Sequence, residues 1–149
     1  ELLRLARGEE LTLSEVSLQD LAETAWKTVT SDATELVIED DIAFEAHESQ
    51  LRRLFENLFW NAIDHGSASS IRVGTLDDSG FYVEDDGTGI PDSDRQEIFE
   101  SGFTTGEDSP GYGLSIVRGI IEMHDWEISV TSGQNGGARF EIRGTSSSV

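Results

Sequence analysis

The stretch SQLRRLFENLFWNAIDHG, residues 49–66, governs the fold. Leu51, Leu54, Phe55, Leu58, Phe59, Ala62 and Ile63 recur at helical period and form a wide apolar stripe. Gly66 stands where a helix stop is expected. Such a stripe has to be buried, and the neighbouring sequence offers strands to bury it. Downstream, SIRVGTL (70–76) and GFYVED (80–85) read as a strand pair across a turn-rich joint, Asp77–Gly80. Upstream, TELVIED (34–40) and IAFEA (42–46) alternate apolar and polar residues, as half-buried strands do.

Further out, VSLQDLAETAWKTV (16–29) reads as a short strand at Val16–Leu18, then a helix with Leu21, Ala22, Ala25, Trp26 and Val29 on one face. GLSIVRGIIEMH (113–124) is a second amphipathic helix in the downstream half. WEISVTS (126–132) and GARFEIRG (137–144) form a closing hairpin around Gln134–Gly137. Residues 91–112 hold few apolar positions and several glycines, a long irregular segment of the kind that usually serves as a functional loop. The sum is about three helices and six or seven strands. The expected fold is an α/β (α+β) two-layer sandwich: a mixed, mostly antiparallel sheet with the helices on one face. Residues 16–144 are expected to form the domain, 1–15 the end of a preceding helix with its linker, and 145–149 a frayed tail.

Composition sets limits. The 149 residues suffice for one domain with a real core, and no apolar run reaches the ~18–20 residues that span a bilayer. The start, ELLRLARGEE, lacks a signal-peptide pattern, and beginning on Glu1 it reads as part of a longer chain. There are no cysteines, so disulfides and thiolate metal sites are excluded. Ten basic against thirty acidic residues give −20, with Lys27 the sole lysine. The acids are scattered along the chain, which reads as a halophilic surface adaptation with self-repulsion screened by salt; the alternative is a cation-binding or acidic interaction surface. Such a surface argues against nucleic acid or anionic membrane as a partner.

Three constellations carry chemistry. At the end of FYVED, Asp85 opens an Asp-x-Gly-x-Gly pattern with Gly87 and Gly89. The glycines leave backbone N–H groups bare, and the carboxylate suits an exocyclic amine; alone, the pattern is also an ordinary acidic turn. In SPGYGLSIV, Gly111 and Gly113 precede a helix start, where free N–H groups favour anionic oxygens, or where a loop simply needs to turn. On the long helix Asn57, Asn61 and His65 stand at i, i+4, i+8, one row beside the apolar stripe. Two amide oxygens one turn apart suit Mg²⁺, which takes its other ligands from water and phosphates; singly, the row is also a solvated polar edge.

In this order and spacing the constellations resemble the ATP-binding catalytic domain of sensor histidine kinases, in the superfamily shared with DNA gyrase, Hsp90 and MutL. ENLFWNAIDHG resembles the N box, DDGTGIP the first glycine box, IFESGFTT the F box and GYGLSIV the second glycine box. IIEMHDWEISVTS and GGARFEI resemble the closing helix and hairpin, so the likeness runs from about Val16 to Arg143. The resemblance implies that Asp85 binds the adenine amine and that Asn61, helped by Asn57, holds Mg²⁺ against the phosphates. It implies further that Gly87, Gly89 and Ile90 admit base and ribose, with His65 beside the adenine. Gly111, Tyr112, Gly113 and Leu114 would approach the phosphate chain. Phe99 and Phe103, with Thr104 and Thr105, would anchor a flexible ATP lid.

The implied reaction moves the γ-phosphoryl of ATP to a histidine on a separate dimerisation domain, and thence to a response regulator. Hydrolytic relatives carry Glu at the position of Asn57, so hydrolysis is expected to be slow. Glu56 is a candidate proton acceptor, although an ideal helix points it about 140° away from Asn61. His47, His65 and His124 do not fit the phosphoacceptor context. The isolated domain is expected to be monomeric, cytoplasmic and without membrane contact. Departures from the pattern are Asp64 where Lys or Arg is frequent, Ser109 in place of a glycine, and Arg95 as the lid's single basic residue. They imply weak ATP affinity that depends strongly on Mg²⁺ and salt. The rivals are an anti-sigma-factor-like serine kinase on the same fold and a docking module without catalysis.

Overall fold

A computed structural model describes residues 13–29, 34–65, 69–76, 80–87, 114–133 and 136–145. In chain order the elements are β1 (Ser14–Ser17), α1 (Leu18–Val29), β2 (Glu35–Ile38), β3 (Ala43–Ala46) and α2 (Glu48–Trp60). A single π-type turn, Asn61–His65, continues α2. Then come β4 (Ser70–Leu76), β5 (Gly80–Asp85), α3 (Leu114–Met123), β6 (Glu127–Ser132) and β7 (Ala138–Arg143). Five strands form one sheet in the order β2-β4-β5-β7-β6, and β1 pairs with β3 in a second, small one. Only β2 and β4 run parallel, with Leu36 opposite Ile71; every other described pair is antiparallel.

The layers follow from side-chain alternation. Ile71 and Val73 of β4, Phe81 and Val83 of β5, and Phe140 and Ile142 of β7 are buried. They meet the stripe that the sequence put on α2, where Leu51, Leu54, Phe55, Leu58 and Phe59 are buried. The joint is aromatic: Phe81 lies 5.5 Å from Phe55 and 5.8 Å from Phe44, centroid to centroid, within the range where such pairs attract. Helix α2 also packs against α1 and α3, and Trp26 of α1 meets Phe59 edge-on at 5.4 Å.

The opposite sheet face is polar. Tyr82 lies over the bare backbone of Gly74, where a Cβ would come within 2.5 Å of the phenol oxygen. Its hydroxyl donates to Glu39, and the Arg139 guanidinium sits 4.0 Å above its ring. Burial, then the Glu39 carboxylate, pushes the phenol up to about 12. Arg139 continues the ladder with ion pairs to Glu84 and Glu141, each at 2.7 Å.

Two expectations change at the boundaries. Leu18 begins α1 and does not end β1. Ser17 is the cap, its Oγ accepting the Asp20 N–H at 3.2 Å while Asp41 accepts the Gln19 N–H at 3.0 Å. The second change is at the end of α2: the α-helix stops at Trp60 and a wider turn follows, so the row Asn57, Asn61, His65 does not continue on an α-helical lattice. Gly66, the turn residues 77–79 and the long segment 91–112 lie outside the described residues. The fully formed strand β1 starts at Ser14, and Thr145 is buried.

Candidate nucleotide site

Asp85 and Asp86 are adjacent in sequence and opposite in circumstance. Asp85 ends β5 and is only 8% exposed. The N–H groups of Gly87 and Ala138 both donate to its Oδ1, at 2.8 and 3.3 Å. Burial nevertheless pushes its carboxyl above the ordinary range, because those two N–H groups only partly offset the cost of ionising away from water. Among the described residues Oδ2 receives no hydrogen bond. Asp86 instead turns back to β4. The Ser69 hydroxyl and the N–H groups of Ser69 and Ser70 donate to it at 2.7 to 3.0 Å, and chiefly the hydroxyl holds it below the ordinary range. One aspartate is therefore a strand-end clasp and the other a buried acceptor with an oxygen to spare.

The amides stand on the helix layer. Asn57 is half-buried, and its Nδ2 donates to the Arg53 carbonyl at 2.8 Å, one turn back, which leaves Oδ1 as the end available to a ligand. Asn61 is 8% exposed and, among the described residues, its Nδ2 has no hydrogen-bond partner. A buried amide N–H₂ without a partner costs about 1–3 kcal/mol and calls for an acceptor. Its own N–H lies against the Asn57 and Leu58 carbonyls, at the junction where the helix widens. The Phe55–Phe81 contact fixes helix on strand, and on each element the candidate residues lie C-terminal to it, Asn57 and Asn61 on one and Asp85 on the other.

Other candidates have plain placements. Glu56 is half-buried and lies 3.9 Å from Arg52, one turn back on α2. Leu114 opens α3, and its side chain is 1% exposed and belongs to the core. Gly87 is described through its N–H to Asp85, and His65 only as the last residue of the π-type turn. Gly89, Ile90, Phe99, Phe103, Thr104, Thr105, Gly111, Tyr112 and Gly113 lie outside the described residues. Trp60, off the stripe in sequence, is 51% exposed.

Two participants were not singled out from sequence. The Ala138 N–H reaches Asp85 from β7, and Gly137 lies so close that a Cβ there would stand 2.4 Å from Asp85 Oδ1. In the sequence Gly137 reads as the close of a hairpin turn, and a contact spanning fifty-three residues leaves no periodic signal.

Residues 46–145 match the family described as histidine kinase-, DNA gyrase B-, and HSP90-like ATPase. The sensor histidine kinase ZraS of Salmonella typhimurium is 34% identical over 157 residues, which takes in 95% of this chain and 33% of ZraS. The chain thus spans about a third of that curated relative. The crystal structure of the ATP binding domain of PrrB from Mycobacterium tuberculosis superposes with a TM-score of 0.76 at 22% identity, over 91% of this chain and 98% of that one. Full-length ShkA in complex with AMPPNP gives 0.77 at 24%, over 94% of this chain and 32% of that one.

Proposed function

The chain belongs to the family of histidine kinase-, DNA gyrase B- and HSP90-like ATPases, and from that premise we propose that it works as the catalytic, ATP-binding domain of a sensor histidine kinase. In this reading it delivers the γ-phosphoryl of Mg²⁺-ATP to a histidine on a dimerisation domain of the same protein, from which a response regulator is phosphorylated in the cytoplasm. The observation that carries the reading is Asp85, a buried carboxylate with one oxygen tied to main chain and the other without a partner among the described residues. Ionised, it can only accept, which matches the amine of adenine. Gly87, Gly89 and Ile90 would flank the base and ribose.

The donor set at the other end fits a hard cation. Asn57 has its nitrogen committed to Arg53, so its oxygen is the free end, and the unpartnered Asn61 amide can offer Oδ1 to a metal or Nδ2 to a phosphate oxygen. Bound there, Mg²⁺ would neutralise phosphate charge, which matters in a chain of net charge −20. Residues Gly111, Tyr112 and Gly113, ahead of α3, would meet the phosphates with backbone N–H groups, and Phe99, Phe103, Thr104 and Thr105 would anchor the lid. An amide at Asn57 cannot take a proton from water, which favours transfer to an incoming imidazole over hydrolysis.

Calorimetric titration with ATP, with and without Mg²⁺, tests the reading. Binding is expected with Mg²⁺, weakening by about tenfold or more in Asp85→Ala, the worth of one buried hydrogen bond to a charged group. Undiminished binding by that variant would overturn it.

A further inference from the structure

We propose that Gly137, in the hairpin between β6 and β7, is a positioning residue that decides which oxygen of Asp85 meets the nucleotide, and so makes the site selective for a purine bearing an exocyclic amine over one bearing a carbonyl. The inference rests on the assignment of Asp85 as the base-recognising carboxylate.

A Cβ at Gly137 would stand 2.1 Å from the Asp85 carbonyl oxygen and 2.4 Å from its Oδ1. The nearer atom is backbone and cannot swing aside, so the hairpin can lie this close only with hydrogen at that position. The close approach brings the next N–H, that of Ala138, to Oδ1 at 3.3 Å, where the Gly87 N–H already donates at 2.8 Å. Both donors converge on one oxygen. The carboxylate is thereby held in one orientation, with Oδ2 as its presenting atom.

The hairpin is braced to keep this spacing. The Gly133 N–H donates to the Gly137 carbonyl at 2.7 Å, and Gly136 turns the chain at φ 92°, a conformation L side chains rarely adopt. A Cβ added at Gly133 would meet the Glu84 Cγ and Oε2 at 3.0 Å and the Asp85 carbonyl oxygen at 3.2 Å, so the other arm of the hairpin closes on the same strand end. A fixed, acceptor-only Oδ2 attracts an N–H₂ donor and repels a carbonyl oxygen, the kind of mismatch that separates substrates strongly in a buried site.

The test is calorimetry of the 149-residue chain with the Mg²⁺ complexes of ATP, inosine triphosphate and tripolyphosphate. The parent should prefer ATP to inosine triphosphate by about tenfold or more. In Gly137→Ala that ratio should fall towards one, through weaker ATP binding, with the other two affinities unchanged. Gly119→Ala, on α3 where an added Cβ meets nothing within 4 Å, should keep the parent ratio. Should Gly137→Ala fail to fold by circular dichroism, Ala138→Pro, which replaces the N–H with a ring methylene facing Oδ1, must show the same collapse of the ratio. A retained ratio in the folded variant, or a parallel loss for all three ligands, overturns the positioning role while leaving the nucleotide site standing. A parent that binds no nucleotide overturns both.

Discussion

His124 is locked in one tautomer by His47. The main-chain N–H of His47 donates to Nε2 of His124 at 3.0 Å, so Nδ1 carries the proton, which it donates to the Ile120 carbonyl at 2.7 Å. The ring also stacks on Trp126, with centroids 4.1 Å apart. A neutral imidazole thus ties the start of α2 to the end of α3.

Stability should therefore fall on mild acidification. Burial, followed by the charge of His47, lowers the His124 pKa from 6.5, only partly offset by the Ile120 carbonyl. The unfolded chain then binds more protons below that value, so stability is full above it and is lost as pH drops, levelling once the folded imidazole protonates. Urea midpoints measured across about pH 7.5 to 5.5 should show this decline. His124→Gln should be less stable at pH 7.5 and should flatten it.

Asp85 should separate stability from binding. Its carboxyl is raised by burial, so its ionisation costs folding free energy at every pH above the folded value, and the cost disappears as pH falls through it. Asp85→Asn keeps an oxygen for the Gly87 and Ala138 N–H groups while removing the charge. At pH 7 this variant should melt no lower than the parent. It should bind ATP about ten- to a hundredfold more weakly in calorimetry, since a donor N–H₂ would face the adenine amine.

The close of α3 offers a conformational test. Asp125 sits at φ 58° and completes a left-handed cap, its N–H donating to the Glu122 carbonyl at 3.1 Å and that of Trp126 to Ile121 at 3.1 Å. A β-branched residue tolerates this conformation poorly. Asp125→Val should lower stability by about 1–2 kcal/mol in urea titration, and Asp125→Gly should not.

The aromatic joint is the largest single stake. Phe81 is fully buried against Phe44, Phe55 and Trp126. Phe81→Ala should cost about 3–5 kcal/mol, a large share of the roughly 5–15 kcal/mol that stabilises an ordinary domain, read as a marked drop in melting temperature.

Salt should help throughout. With a net charge of −20, repulsion between carboxylates acts over about 10 Å at 0.1 M salt and about 3 Å at 1 M. The melting temperature is expected to rise steadily over that range in sodium chloride.

Periodicity made much of the fold legible. The stripe from Leu51 to Ile63 and the alternation in β4, β5 and β7 each impose a face, and together they demand a layer of helices on a sheet. Partnership across distance left no such trace. Leu18 is as apolar in a strand as in a helix, and what starts the helix is the pairing of Ser17 with Asp41, twenty-four positions away. The widening at Asn61 follows a sequence that reads as uninterrupted helix. At the site, a strand-end Asp with glycines pointed to Asp85. The sequence could not show that Asp86 would turn aside to Ser69, or that Gly137 would close on Asp85 from the other end of the domain.

The sheet order carries a consequence for biosynthesis. Strand β5 is central, yet one of its two neighbours is β7, whose Phe140 and Ile142 pair with Val83 and Phe81. On the ribosome, the nascent polypeptide therefore exposes one bare edge of its middle strand until Arg143 has cleared the exit tunnel. Such an edge is a template for wrong partners. Translation speed and chaperone access across the interval after Asp85 thus bear on how much active protein a cell obtains.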